Sequence, residues 1–338
     1  MRLKGSALNG VNDVYLSKGY AQLYINDERD EAVEYRYKSQ WGEVKYIFIK
    51  REIPDRIEGK AYYDLITPYG YGGPVLENVA DPGKTGHIVQ AFAEDFQNYC
   101  LAHDIVSELI VFHPLLQNNN IFGEIYDVSF YKETVFMDLQ NEEAVWNNMK
   151  AACKNRIRKA AKQGLKVTKD SSKESLEKFI ELYYRTMDKN HATDFYYFDE
   201  AYFSKLMDLN GSAEIFNVIL NHKTIAGIIV LKGEQYIHYH LGATDPEYYS
   251  LSPNNLLFYE VAKWGVSQGF QRFHLGGGYS DLEDGLLRFK KNLNQNGVLK
   301  QHLGKKIQNP GIYSRLTENH LNRSSVLKDR SFFPAYRK

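Results

Sequence analysis

The sequence predicts an α/β (α+β) chain of two tandem halves built alike, each with a mixed central sheet flanked by helices. Three observations carry this. One local order, a strand, a turn, a helix and a strand ending in Phe-His, occurs twice, from Ala61 to His113 and from Gln235 to His274. Gly164 is placed to cap a long amphipathic stretch, after which the strand–helix pattern begins again. A length of 338 residues also leaves each half able to bury its own core. The expected boundaries are 1–164 and 165–309, with a tail, 310–338, that packs back on the first half or frays.

Taken in order, alternating or β-rich runs predict strands at Tyr20–Ile25, Val44–Lys50, Ala61–Ile66 and Glu108–Phe112. Between the last two, Ile88, Phe92, Phe96 and Tyr99 fall on one face of a helix over Lys84–His103. Strands follow at Ile125–Tyr131 and Thr134–Asp138, then one amphipathic helix from Glu142 to Gln163. Past Gly164 the pattern gives a strand at Leu165–Lys169 and helices at Lys173–Lys189 and Asp199–Leu209. Three strands, Ala213–Leu220, Thr224–Lys232 and Gln235–Leu241, read as a meander. A helix at Asn254–Gln268 is ended by Gly269, and a strand at Gln271–Leu275 by Gly276-Gly277-Gly278.

Charge excludes one class of function. The 42 basic side chains are matched by 42 acidic ones, so the chain lacks the global basic excess of a nucleic-acid or membrane coat, although local basic patches remain open. Cys100 and Cys153, both on helix-like stretches, read as buried free thiols. Met1–Tyr20 has no apolar signal core, and no run approaches the ~20 apolar residues of a membrane span. A soluble, cytoplasmic chain is expected.

Four segments can carry chemistry. In Tyr69-Gly70-Tyr71-Gly72-Gly73-Pro74 the glycines let backbone amides approach an anionic or carbonyl group, and Tyr69 and Tyr71 would wall a ligand; a tight connection explains the glycines equally well. Lys150, Lys154 and Arg158 recur every four residues and, with Arg156, Lys159 and Lys162, make a basic stripe suited to phosphate or tRNA, or a solvated helix face. His238 and His240 share a strand face. With no third ligand at convincing spacing they read as a polar cleft wall, and no metal is expected. Lastly, Gly276-Gly277-Gly278 bends a strand end where substrate can meet backbone, and Lys290 soon afterwards can neutralise an acyl oxyanion.

At this point the residues resemble a known family. Tyr239 to Leu293 (Y-H-L-G-A-T-D-P-E-Y-Y-S-L-S-P-N-N-L-L-F-Y-E-V-A-K-W-G, on to F-H-L-G-G-G and F-K-K-N-L) looks like the second domain of the Fem family. These are peptidoglycan-bridge aminoacyltransferases with tandem GNAT-like (N-acetyltransferase-type) domains. Ala151–Gly164 is similar to that family's interdomain basic helix, and Ser39-Gln40-Trp41-Gly42-Glu43-Val44-Lys45 resembles its S-x-W-x-x-x-K motif. The resemblance implies that Lys45 and Lys189, the latter where the family has an arginine, bind the diphosphate of a UDP-linked muropeptide. It implies that Tyr239 lines the cleft and that Lys290, after Phe289, stabilises the acyl-transfer transition state.

The chain departs from the family at His113-Pro114, where an acidic residue precedes the proline; a histidine there can still serve as general base. Pro68–Pro74 and Phe112–Leu116 are closer to a GNAT-like branch found with surface-polysaccharide synthesis, and the family's coiled-coil insertion is missing. The loop Leu251-Ser252-Pro253-Asn254-Asn255 also lacks the glycines with which ordinary acetyltransferases cradle coenzyme A, which favours aminoacyl-tRNA over acyl-CoA as donor. Three functions follow as expectations: aminoacyl transfer to an amine of a UDP- or lipid-linked cell-wall precursor, acyl-CoA-dependent acylation of an amino sugar, or a precursor-binding module without catalysis. No bound cofactor is expected.

Overall fold

The computed structural model describes residues 12–25, 27–279, 284–323 and 332–337. The absence of a leader over Met1–Val11 and the tail residues 324–331 lie outside them.

The chain opens with helix α1 (Lys18–Gln22), capped by Ser17, whose hydroxyl accepts from Tyr20 N–H. This corrects the strand expected at Tyr20–Ile25: its aromatic and β-branched residues are core anchors of a helical turn, with Tyr20 buried. Strands β1 (Glu31–Ser39) and β2 (Gly42–Glu52) form a hairpin, followed by β3 (Tyr63–Ile66) and β4 (Val75–Glu77). Helix α2 (Thr85–Ala102) buries Ile88, Phe92 and Phe96, as its periodicity requires, and β5 (Ile105–Val111) follows. After α3 (Asn119–Phe122), the two strands expected at Ile125–Tyr131 and Thr134–Asp138 are one, β6 (Asp127–Asp138). The long helix is two, α4 (Glu142–Asn147) and α5 (Ala151–Lys162), broken where Met149 turns inward and Lys150 is extended.

Then come β7 (Lys166–Lys169), α6 (Lys173–Lys189), α7 (Glu200–Met207), and the meander β8 (Ala213–Leu220), β9 (Lys223–Lys232) and β10 (Tyr236–Thr244). Helix α8 (Pro253–Ser267), β11 (Arg272–Gly277), α9 (Gly285–Leu293), β12 (Val298–Ile307) and α10 (Pro310–Arg323) complete the chain.

By contacts the chain forms two compact units, one of Tyr15–Tyr131 and the residues from Gln301 onward, the other of Asn12–Val14 and Lys132–Lys300. The divisions fall inside β6 and β12, at other places than the expected 164 and 309. In the first unit the strand order is β1-β2-β3-β5-β12 with β4 also on β2; β3 and β5 are parallel and the other pairs antiparallel. Val44, Tyr46 and Phe48 of β2 pack on Phe92 and Phe96 of α2. Leu316 of α10 and Tyr336 join Ile53, Ile57 and Val106 in a smaller cluster, and the Tyr336 and Ser107 hydroxyls lie 2.6 Å apart.

In the second unit the order is β6-β11-β10-β9-β8-β7, antiparallel except for β10 beside β11. Strand alternation sorts its two faces. Phe216 and Val218 of β8 join Cys153 and Ile157 of α5 and Leu257 and Val261 of α8 in the main core. On the other face, Asn217 donates to Ser175 Oγ of α6 at 2.7 Å. Gly227 there leaves room for Phe179 of α6, since a Cβ would lie 3.1 Å from its ring. Helices α4 and α5, read as closing the first half, thus pack in the second unit. Cys100 and Cys153 are buried free thiols.

Candidate active site

Strands β10 and β11 pair only from Tyr236–Arg272 to His238–His274, although β10 continues to Thr244 and β11 to Gly277. Each keeps its outer partner: β10 pairs with β9 to Thr244, and β11 with β6 to Gly277. The two strands therefore part company beyond the histidines. Both carry a register shift there, between Tyr239 and Leu241 in one and between His274 and Gly276 in the other. Such irregularities bend a strand and re-aim its side chains. The alternation expected of His238 and His240 is broken by that bulge. His238 Nε2 lies 2.8 Å from Asp13 Oδ2, and His240 Nε2 lies 2.8 Å from the Tyr202 hydroxyl of α7. Burial, with His238 beside it, holds the His240 imidazole down to about 3. Both are buried core histidines rather than a cleft wall.

Where the strands part, Lys290 of α9 points back at the end of β11. Its Nζ donates to the Gly277 carbonyl at 2.7 Å and stands 5.1 Å from the centroid of the Tyr239 ring, with the residue only 3% exposed. Burial, and then the like charge of Lys132 on β6, pull its ammonium down to about 7, against the opposing pull of Asp284. A group so placed changes charge near neutrality with little cost in either direction. Phe289 packs on Phe258 of α8, ring centroids 5.7 Å apart, and so orients the turn of α9 that carries Lys290. Gly277 has no room for a side chain: a Cβ would lie 2.8 Å from Glu133 O. Tyr239, Gly277, Phe289 and Lys290 are thus brought together.

Lys189, at the end of α6, sets its Nζ 3.9 Å from the centroid of Tyr249. Tyr279 is 76% exposed. Arg158 lies over the Trp146 indole at 5.0 Å and Lys154 at 5.8 Å. Among the described residues no acidic side chain bridges Lys150, Lys154, Arg156, Arg158, Lys159 or Lys162. Helix α8 begins without a side-chain cap, at Ser252, which holds a left-handed backbone (φ 56°).

The remaining candidates belong to the first unit. His113 is fully buried; its N–H donates to Asn118 Oδ1 at 3.0 Å and its Nδ1 accepts from Leu116 N–H at 3.3 Å. Asn118 in turn donates to the carbonyls of Gly72 and Pro74. The Tyr71 ring lies 5.6 Å from the His113 ring, and Tyr20 donates to the Tyr69 carbonyl at 2.8 Å. Tyr71, Gly72 and His113 therefore share one buried cluster, with the half-buried Tyr69 beside it. Lys45 is also buried, with Glu77 3.0 Å away and Arg36 on the same carboxylate at 2.8 Å. The sequence reading gave Lys45 no such partner.

Sequence reasoning missed Lys132 and Asp284. An Asp just before an apolar helix start is an N-cap signal, and Asp284 does accept from Leu287 N–H at 2.8 Å. Nothing local marks Lys132; it reaches the site through the register that sets Thr134 opposite Gly277.

Residues 147–291 match the family described as Acetyltransferase (GNAT) domain. Among curated proteins none matches the chain. Among solved structures it is similar to FemX (15% identity, 91% of this chain and 96% of that one, TM-score 0.69). It is also similar to a conserved protein of unknown function from Bacteroides thetaiotaomicron (11%, 88% and 92%, TM-score 0.55). A third is the C-terminal domain of a putative lysylphosphatidylglycerol synthetase from Agrobacterium fabrum (14%, 82% and 85%, TM-score 0.52). At these identities the likeness concerns the fold. Residues 147–291 match the GNAT acetyltransferase domain, and the chain is similar in fold to FemX.

Proposed function

We propose that the chain transfers an aminoacyl group from aminoacyl-tRNA to an amine of a UDP- or lipid-linked cell-wall precursor, at Lys290. The observation that carries this is the buried Lys290 ammonium on the Gly277 carbonyl, where β10 and β11 separate. The acceptor nitrogen attacks the ester carbonyl carbon, negative charge gathers on the carbonyl oxygen, and collapse expels the ribose hydroxyl. A cation in a water-poor site stabilises that oxygen more than it stabilises the ground-state ester. Tyr239 and Phe289 fix the direction from which Lys290 approaches.

His113 fits a donor better than a base. Its Nδ1 accepts a hydrogen bond, so the neutral ring carries its proton on Nε2. The amine's proton then goes to a carboxylate or phosphate of the substrate. Lys189 and the basic face of α5, Arg158 included, are the phosphate contacts of this reading in the second unit; in the first, Lys45 would take a diphosphate in exchange for Glu77.

The start of α8, which no side chain caps, favours a second reading, an acyl-CoA donor acylating an amino sugar, because backbone amides at a helix N-terminus suit a pyrophosphate. Incubation with labelled charged tRNA against labelled acetyl-CoA separates the two. Label passing from tRNA to the precursor amine supports the first, and transfer from acetyl-CoA alone replaces it with the second. Binding of UDP-linked precursor without turnover of either donor would leave a non-catalytic module.

A further inference from the structure

Between Gly277 and α9 lies a carboxylate that the acyl-transfer scheme does not use. Asp284 accepts from Leu287 N–H, closing the first turn of α9, and also from the backbone N–H of Tyr279, on the strand side of the loop. It reaches there only because residue 278 is glycine: a Cβ would meet Asp284 Oδ2 at 2.5 Å and Oδ1 at 2.6 Å. One side chain therefore joins the end of β11, which offers the Gly277 carbonyl, to the helix that carries Lys290.

We propose that Asp284 is a positioning residue for the transfer reaction: it holds Gly277 and Lys290 in register and supplies the negative charge against which the Lys290 ammonium is kept. This rests on the assignment of Lys290 as the reacting cation. The groups that act on Lys290 are Lys132 from β6, which opposes its charge, and Asp284, which favours it, with the Tyr239 ring of β10 beneath its Nζ. Helix α8 meets α9 through Phe258 on Phe289, and the segment before α5 meets it through Lys150 N–H, which donates to Asn292 O. With burial and Lys132 opposing its charge and Asp284 favouring it, a single carboxylate bears on how far the ammonium survives burial.

The test is Asp284→Asn in the full chain. Asparagine still caps a helix, so the fold is retained, while the charge and one of the two acceptor oxygens are lost. In protein carrying 13C-labelled lysine, the Lys290 Cε resonance is assigned by its absence in Lys290→Arg and then titrated. The midpoint should be near 7 in the parent chain and lower in Asp284→Asn by on the order of one pH unit. The falling limb of kcat against pH should move with it, kcat at neutral pH should drop several-fold, and the KM for acceptor should stay put. An unmoved Lys290 midpoint in Asp284→Asn, or a moved midpoint with unaltered kcat, overturns the inference. If Lys290→Ala transfers as well as the parent, it is the Lys290 assignment that falls, and the titration still judges whether Asp284 holds the ammonium.

Discussion

A buried ammonium group that stays useful must be neither fully stripped of its proton nor fixed in its charge. Lys290 meets that condition because burial and Lys132 lower its proton affinity while Asp284 partly restores it. In the oxyanion role the protonated form is the active one, so kcat/KM should fall as pH rises through about 7 in the free enzyme. Arginine keeps its charge across this range, so Lys290→Arg should abolish the falling limb while losing rate through its longer, forked geometry. Lys290→Ala should lower kcat on the order of 100- to 1000-fold, the usual loss when a single oxyanion partner is removed. Stopped-flow or discontinuous transfer assays from pH 6 to 9 read both. A falling limb that survives in Lys290→Arg would assign the titration to another group.

At the scale of elements, helix α5 and the end of β11 are the parts whose sequence and structure answer to different demands. Helix α5 buries Cys153, Ile157 and Ala160 and turns its cations outward, which satisfies the core whether or not a ligand exists. Reversing Lys154, Arg158 and Lys162 to glutamate should leave the unfolding midpoint nearly unchanged and raise the KM for charged tRNA by more than ~10-fold, with a shallower salt dependence. Equal effects on acetyl-CoA-dependent transfer would show the patch is not a tRNA contact. The β11 end is the opposite case. Gly277→Ala would force its Cβ against Glu133 O, at a cost of about 1–3 kcal/mol, and lower transfer with it.

The legible parts of the fold were those with unbroken periodicity: α2, the β8–β10 meander, α6 and α8. Strand β1 was hidden by its alternating charges, as in Glu34 and Arg36, and β12 by Lys305 and Lys306, since strands with an exposed face carry a weak apolar signal. Of the candidate site, Lys290, Phe289, Tyr239 and Gly277 were legible because they fall in the stretch that carries the family resemblance, where Gly277 and Lys290 stand 13 residues apart and meet through the Lys290 Nζ. Lys132 was not, because its approach depends on the antiparallel register of β6 on β11, a tertiary fact.

For the molecule as a whole, a buried ionisable side chain stands at odds with its surroundings in each compact unit, Lys290 in one and Glu108 in the other, and the two signs are opposite. In the second unit Lys290 has a folded-state pKa below its unfolded one. The folded state therefore binds fewer protons between about 7 and the ordinary lysine value, and stability should rise with pH across that window. In the first unit Glu108 is fully buried; burial raises its carboxyl although Tyr126 and Gln308 donate to it at 2.9 and 3.0 Å. There the folded state binds more protons above the ordinary glutamate value, and stability should fall as pH rises toward the raised pKa. Lys290→Met should stabilise the chain at pH 7 by on the order of a few kcal/mol and flatten the rise toward pH 10. Glu108→Gln keeps the shape, lets the new amide donate to the buried Gln308 Oε1 that lacks a partner, and should flatten the acid-side slope. Chemical denaturation at intervals from pH 4 to 10 tests both at once. If either variant keeps the parent's slope in its own window, that side chain is not the group whose burial sets the stability of its unit.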